Sequence, residues 1–337
     1  MKIKKANFKT PNSVPQPACD VRNSSLRVLK FVILLLTTIF FTPKVIHAQG
    51  FNLSLSPPLL QATIKPGKAI SQVFTIYNNN SNPVKLTARI VPFLPDDLAG
   101  NPSLKPQSNP TWLSYFSLAN SFIRLNQPFT LEANSSDQLV LSIKIPEDSP
   151  YLDHYATLLV SQNLEPQAKT SISGSIGSNI LLSIANQAAP DTILNITNLK
   201  PVNTATIKIG KTYLLDNLTS VEFQAHLENL GTHLSQIHGL FQIHKGIDVA
   251  HIQPLLPMNV LAQSTRQVIA SGSGQLKFQP SIGNIGGFNA SLNIRSENGS
   301  SQDTIKLIFL PIKAGLGLML GIILLKSILN RSKLPPK

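Results

Sequence analysis

Thiols are almost absent from this chain. Its 337 residues include one cysteine, Cys19, so no intramolecular disulfide staples the fold and a cysteine-built metal site is excluded. Tryptophan is as scarce, with Trp112 alone, and only 16 residues are acidic. The adjacent acids Asp96-Asp97 and Glu147-Asp148 sit among turn residues, where they are solvated, and calcium would need more oxygen ligands at regular offsets. No Gly-x-Ser-x-Gly elbow occurs: Gly174-Ser-Ile-Gly177 reads as a turn or strand entry and Gly272-Ser-Gly274 as a loop. Gly283, Gly286 and Gly287 lead into strand residues, so a phosphate-cradling loop opening a helix is missing too. No catalytic, cofactor-binding or metal-ligating residue is therefore assigned. An enzyme, a cofactor and a small-molecule substrate are not expected.

What the chain does have is positive charge at both ends. Of the net +13, residues 1–48 carry +7 and residues 313–337 carry +5, which leaves +1 for everything between. Each basic flank borders an apolar run, Phe31 to Phe41 and Leu307 to Leu325, as in segments handled by a membrane. The high pI thus reflects membrane flanks, and no nucleic-acid partner is expected. Arg22, Arg27 and Lys30 before the first run, with Pro43 and Ile46-His47-Ala48 after it, frame a secretory signal cleaved near Ala48. An uncleaved signal anchor is the alternative, and either one exports the chain beyond Gln49. Cys19 lies upstream of the run, which argues against a lipoprotein cysteine.

The second run is interrupted by Pro311 and Lys313. From Ala314 to Leu329 it is 16 residues long, short of the roughly 20 that a bilayer core asks for. Lys313 and Lys326 can snorkel to the two interfaces, and Arg331, Lys333 and Lys337 mark a cytoplasmic end. A single membrane anchor is expected.

Between the flanks the dominant period is two. Leu139, Leu141, Ile143 and Ile145 alternate with polar or exposed positions, as do Val221, Phe223, Ala225 and Leu227, and Phe288, Ala290, Leu292 and Ile294. These are half-buried strands, while Gln72–Tyr77, Ala156–Val160 and Asn179–Ile184 alternate less and fit central strands. Asn78 to Pro83, Pro95-Asp96-Asp97, Gly100-Asn101-Pro102, Gly231, Gly246 and Gly286-Gly287 read as turns. A seam falls at 186–191. Across it, Phe74-Thr-Ile-Tyr-Asn78 corresponds to Phe223 through Asn229, and Tyr155–Leu158 corresponds to Phe288–Leu292. The fold class expected is all-β, with two tandem immunoglobulin-like β-sandwiches. The organisation is a signal segment with a basic extension over 1–48, sandwiches over 51–187 and 191–312, a transmembrane helix over 313–329 and a basic tail over 330–337.

Two features invite a functional reading. His226, His233, His238, His244 and His251 fall close together, and a hairpin of 221–229 with 236–245 would put several imidazoles on one face. Zinc needs three or four ligands converging on a point, and with no His pair two residues apart and no Cys nearby, surface histidines are the plainer reading. Trp112, Tyr115 and Phe116 come just after a loop, where a sugar could stack. Trp112 also shares strand parity with Ser114 and Phe116, which favours a core role.

Lys65-Pro66-Gly67 before Val73–Asn78, Ile145-Pro-Glu-Asp148 leading to Tyr155-Ala156, Leu227 through His233, Asn259 through Arg266, and Leu307 through Lys313 together resemble the WxL-interacting surface proteins of Gram-positive bacteria. The resemblance spans most of 51–330. It implies a peptidoglycan-binding first domain and a host-binding second domain. Where that family has a Gly before the late-strand aromatic, this chain has Asp153-His154, and where Pro-Gly is common it has Ala262-Gln263. No ligand-contacting residue carries over. The expected protein is a single-pass bacterial cell-membrane protein with its bulk extracytoplasmic, a non-enzymatic surface binding or adhesion module. Its expected partner is cell-wall polymer (peptidoglycan) or a surface protein, besides the membrane itself. A scaffold or spacer of a surface complex is the alternative, and a metal-dependent enzyme or sensor built on the histidines is the alternative from another class. Pilus-type chaperones have a similar first-domain pattern but lack an anchor and use basic cleft residues to hold a partner's terminus; they rank third.

Overall fold

The computed structural model describes residues 52–163, 174–187, 192–202 and 204–331. The signal segment with Cys19 and Ala48, residues 188–191 of the seam and the tail beyond Arg331 lie outside the described residues. The chain is mostly β, with four sheets forming two immunoglobulin-like sandwiches, followed by an apolar helix.

In the first sandwich one sheet has the order β1 (Leu53–Ser56), β3 (Ala69–Asn78), β8 (Ser135–Lys144), β6 (Phe116–Leu118). The other runs β2 (Leu59–Ile64), β10 (Ser175–Ile184), β9 (Asp153–Gln162), β4 (Val84–Pro95), β5 (Pro102–Leu104), with β7 (Pro128–Leu131) also on β4. Pro57 and Pro58 interrupt the first ladder, so the chain leaves β1 in one sheet and enters β2 in the other, where β2 pairs parallel to β10.

The second sandwich repeats the scheme. One sheet is β11 (Leu194–Val202), β14 (Val221–Asn229), β18 (Ser264–Gln267), with β19 (Leu276–Phe278) on β14. Its partner is β12 (Ile207–Ile209), β13 (Thr212–Asp216), β21 (Gly299–Leu310), β20 (Gly286–Ser296), β15 (Ser235–Lys245), β16 (Asp248–Pro254), with β17 (Met258–Val260) on β15. The parallel pair β13·β21 stands where β2·β10 stands in the first sandwich.

Period-two burial closes each core. Phe74, Ile76, Leu139, Leu141 and Ile143 face Leu158 and Ile180 in the first, and Phe223, Ala225 and Leu227 face Phe241, Leu292 and Phe309 in the second. Two sequence readings need correction. The 221–229/236–245 hairpin does not form: β14 and β15 each bury one apolar face, so they lie in opposite sheets, with the rings of Phe223 and Phe241 meeting at 4.9 Å across the core. Gly286-Gly287 is not a turn either, because β20 starts there, Gly286 opposite Phe309.

The correspondence of Phe74–Asn78 with Phe223–Asn229 has a physical basis. Each segment ends in a buried asparagine whose amide knits the adjoining turn. Asn78 Nδ2 donates to the carbonyls of Asn82, Leu131 and Glu132, and its Oδ1 accepts from Asn80 N–H. Asn229 Nδ2 donates to the carbonyls of His233 and Val260, and its Oδ1 accepts from Gly231 N–H. Removing such an amide strands buried carbonyls at roughly 1–3 kcal/mol each. Asn229→Ala is therefore expected to destabilise the protein by about 2–4 kcal/mol. Asn229→Asp, which turns a carboxylate toward two carbonyl oxygens, is expected to be at least as damaging at neutral pH. Chemical denaturation of the three proteins checks the order.

The apolar run from Leu307 divides at Pro311. Leu307 and Phe309 complete the second core as the end of β21, and α1 (Ile312–Arg331) begins just beyond. Residues Ile312–Leu329 are long and apolar enough to cross a membrane, and none of this stretch is buried within the protein.

Candidate functional site: a stapled junction and an arginine-lined groove

β9 and its neighbours bury both faces, which is why their sequences alternate less. Ala156, Leu158 and Val160 point into the first core, while Tyr155 on the other face meets the second sandwich. Phe93 of β4 and Leu181 of β10 join Tyr155 there, against Leu234, Leu261 and Ala262, with the rings of Phe93 and Tyr155 stacked at 5.8 Å. At the edge of this apolar contact lies Asp153, its side chain fully buried. A buried carboxylate is tolerated only when its oxygens are satisfied. Oδ1 contacts His233 Nδ1 at 2.8 Å, and Oδ2 accepts from Leu234 N–H and, at 2.7 Å, from Tyr155 O–H. Tyr155 Oη in turn accepts from Ala262 N–H at 2.8 Å. Burial, then the Asp153 charge, push the Tyr155 phenol upward, so it remains a donor.

A second staple is Arg266, which donates from Nη1 to Asn259 O at 2.7 Å within its own sandwich and from Nη2 to Ala99 O at 2.6 Å in the other. Gln267 N–H donates to Leu98 O beside it. The 98–100 loop can approach this closely because Gly100, at φ +78°, has no Cβ; one placed there would lie 2.3 Å from Arg266 Cζ. Asp153, Ala262 and Gln263 all fall at the junction. Asp153 bridges the sandwiches and Ala262 caps Tyr155. Gln263 takes the positive φ (53°) that a glycine would favour and offsets it with bonds from Nε2 to Leu230 O and Gly231 O.

Beside the junction is a cleft of about 500 Å³, lined from the first sandwich by Gln61, Thr63 and Ser183 and from the second by residues such as Gln236, His238 and Glu297. No Lys or Arg lines it among the described residues.

A larger groove, about 700 Å³, opens along one side of the first sandwich between the edge strand β6 and the middle of β4. On its outer edge β4 is paired by β7 up to Thr87 and by β5 from Phe93. Between them Ala88 O accepts from Asn126 N–H and Pro92 O from Lys105 N–H. Ile90 has the same parity as Ala88 and Pro92, so its N–H and C=O face the groove, with no partner there among the described residues. Arg89 and Arg124 line the groove, both exposed and with neither guanidinium hydrogen-bonded or ion-paired among the described residues. Gln107, Ser108, Asn109 and Asn126 supply neutral donors and acceptors. No sequence pattern marked this place, because it is assembled from isolated residues of separate strands and loops.

The structure separates the histidines. His226 on β14 bonds Asn198 and Gln224 on one sheet, His238 and His244 lie on β15 of the opposite sheet, His251 on β16 packs beside Phe278, and His233 belongs to the junction. Among the described residues no three His, Cys, Asp or Glu side chains are placed to share a metal. Trp112 is not on a strand: residues Thr111–Tyr115 form a 3-10 turn, where period three replaces period two. Trp112 is half-buried, packs on the first core and stacks at 4.8 Å on His154, so a ring face that could meet a sugar is covered. Asp97 closes its turn by accepting from Asn101, and Asp96 lies 3.9 Å from Lys105.

The architecture defines a class, tandem immunoglobulin-like sandwiches with a C-terminal apolar helix. No family model matches the sequence, and no curated protein does. Among solved structures, the chaperone–tip subunit pre-assembly complex of the archaic Csu pili of Acinetobacter baumannii aligns over 77% of this chain and 99% of its own, with 12% identity and a TM-score of 0.33. The chaperone–tip adhesin complex of CFA/I fimbriae biogenesis aligns over 75% and 98%, with 10% identity and a TM-score of 0.39. A PapD-like domain of human CEP192 aligns over 41% and 89%, with 10% identity and a TM-score of 0.26. Likeness at this level is distant and concerns the arrangement of strands.

The junction yields two expectations. Asp153→Ala leaves His233 Nδ1 and Leu234 N–H unmatched, at about 1–3 kcal/mol each. Calorimetry should then show a loss of about 2–5 kcal/mol and a transition that splits as the sandwiches uncouple; an unchanged single transition would mean that Asp153 is not what couples them. His154 Nε2 is buried without a partner, and burial lowers its pKa against the opposing pull of Asp153. As pH falls through the ordinary histidine range, near 6.5, the unfolded chain gains a proton that folded His154 refuses, so stability falls with acidification. His154→Phe keeps the stack on Trp112 and should flatten the fall in Tm between pH 7 and pH 5.

Proposed function

We propose that the protein is an exported, membrane-anchored, non-enzymatic cell-surface binding protein whose first sandwich engages cell-wall polymer through the Arg89/Arg124 groove. The observation that carries this reading is the groove itself. Two guanidinium groups, unpaired among the described residues, flank the Ile90 backbone in a concave, polar site, which suits a chain-like ligand bearing carboxylate or phosphate groups. The resemblance to WxL-interacting surface proteins, with a peptidoglycan-binding first domain, supports the same assignment. So does topology: the first sandwich meets the second through His233, Leu234 and Leu261–Arg266, at the end opposite the one from which α1 leaves. The pilus-chaperone reading draws little from the clefts between the sandwiches: the one beside the junction is lined by no Lys or Arg among the described residues, and the arginine of a smaller one, Arg266, is already engaged by Asn259 O and Ala99 O.

A scaffold or spacer role is the second reading, and the stapled junction favours it, because two sandwiches locked by Asp153 and Arg266 can hold a fixed separation. The two readings separate in a sedimentation assay of soluble residues 50–312 with purified cell-wall sacculi across a salt series. Saturable binding that weakens with salt and drops at least tenfold in Arg89→Glu/Arg124→Glu is expected. No binding by the parent would transfer the weight to a protein partner and the scaffold reading.

A further inference from the structure

The end of the second sandwich that bears α1 carries an unusual set of side chains. Asp216, at the end of β13, reaches the helix start: its Oδ1 accepts from Lys313 N–H at 3.1 Å, and Lys313 Nζ lies 4.0 Å from Oδ2 and donates to Thr219 Oγ1 at 2.8 Å. Asn217 N–H donates to Leu310 O, and Asn217 Nδ2 to Ile282 O at 2.9 Å. These bonds tie the 217–219 loop and the 281–285 loop to the base of the helix. The β15–β16 turn ends at the same level. His244 stands opposite Asn289 and Asn289 opposite Lys306, so the next three residues, Lys245 to Ile247, run alongside β20 toward Gly286, itself opposite Phe309.

Each of these loops presents an apolar side chain outward: Leu218 is 44% exposed, Ile247 96%, Ile282 77% and Ile285 47%. Loop tips that face water in this way gain nothing for folding, and a ring of them around a helix base is what a lipid interface would cover. Lys245, its ammonium over the Phe288 ring, and Lys313, held by Thr219 and Asp216, stand among them, with Asp248 the acid next to Ile247. The helix gives an independent reason. Ile312–Leu329 is 18 residues, which at 1.5 Å per residue spans about 27 Å against a hydrocarbon core of about 30 Å. A short span is accommodated by thinning the bilayer or by drawing flanking residues into it.

We propose that Leu218, Ile247, Ile282 and Ile285 form a membrane-contacting rim that seats the second sandwich in the lipid interface around the base of α1. The proposal rests on reading α1 as membrane-spanning. Contact at several loops, added to the Asp216 clasp on the helix start, holds the sandwich at a set tilt instead of leaving it to swivel on a tether.

The test uses the full chain in nanodiscs of phosphatidylcholine and phosphatidylglycerol, in a Cys19→Ser background. Single cysteines are introduced as Ile247→Cys, Ile282→Cys, Leu320→Cys and Glu297→Cys and labelled with an environment-sensitive fluorophore, then exposed to quencher-bearing lipids. Glu297 lies in the β20–β21 turn at the far end of the sandwich and serves as the water-facing reference. Quenching at Leu320, Ile247 and Ile282 that is at least twofold stronger than at Glu297 is expected. Quenching at Leu320 with both rim sites matching Glu297 overturns the rim and leaves the anchor standing. A water-exposed Leu320 overturns the spanning helix and the rim with it.

Discussion

The buried carboxylate of Asp153 is the constraint on which the arrangement of this molecule depends. It sits on the first sandwich, yet two of the three groups that satisfy it, His233 Nδ1 and Leu234 N–H, belong to the second, and the third, Tyr155 O–H, is itself satisfied by Ala262 of the second. A first sandwich folding alone would have to hydrate that carboxylate and expose Phe93, Tyr155 and Leu181 beside it. The apolar contact supplies the non-directional part of the attraction and the carboxylate supplies direction. Only one rotation of the two bodies brings a histidine, a main-chain N–H and a tyrosine to the same two oxygens. Arg266 fixes a second point by reaching Ala99, and two such points define an orientation where one would leave a pivot.

Strand periodicity was visible in the sequence over β8, β14 and β20, because a half-buried sheet writes its inside and outside residue by residue. The pairing of strands was not. Val221–Asn229 and Ser235–Lys245 look like a hairpin, being adjacent and each alternating, but alternation says only that each has one buried face, which is equally true of strands in opposite sheets. The deciding element is the five-residue connection knit by Asn229, a side-chain effect with no periodic signature. Trp112 does pack on the core as its sequence context suggested, but not by the strand parity that suggested it. A five-residue 3-10 turn is too short for its period to declare itself against a strand's, and the partner that covers the indole, His154, lies far along the chain.

The junction was half legible. Reduced alternation over Ala156–Val160 and Asn179–Ile184 falls on strands buried on both faces, but over Gln72–Tyr77 it falls on β3, which leaves Val73 and Tyr77 exposed, and it cannot say that a second cover is another sandwich. Asp153 adds a charge that requires partners, and Gln263 takes a left-handed backbone while adding bonds of its own. The groove left no trace in the sequence at all. Arg89 and Arg124 become neighbours only because Asn126 N–H docks on Ala88 O, and an isolated arginine in a strand is otherwise read as an exposed face.

The connections differ in kind along the path from groove to helix, and this decides where the molecule yields under load. Within each sandwich, ladders such as β9·β10 and β20·β21 carry many parallel hydrogen bonds that must break together when sheared. At the helix, β21 continues covalently through Pro311 into α1, and Asp216 secures the corner. Burial alone would raise its carboxyl, but bonds from Lys313 N–H, Thr219 and Leu218 N–H outweigh that and hold it below the usual carboxylate range, so it remains an anion throughout the neutral range. Between the sandwiches there are a few polar bonds over a small apolar cluster, and they open one side at a time. A pull on the first sandwich with α1 held therefore reaches the Asp153 network before it reaches either core. Under such a load the junction is expected to part before either core, because the bonds that fix the orientation of the sandwiches are few and are not backed by a ladder.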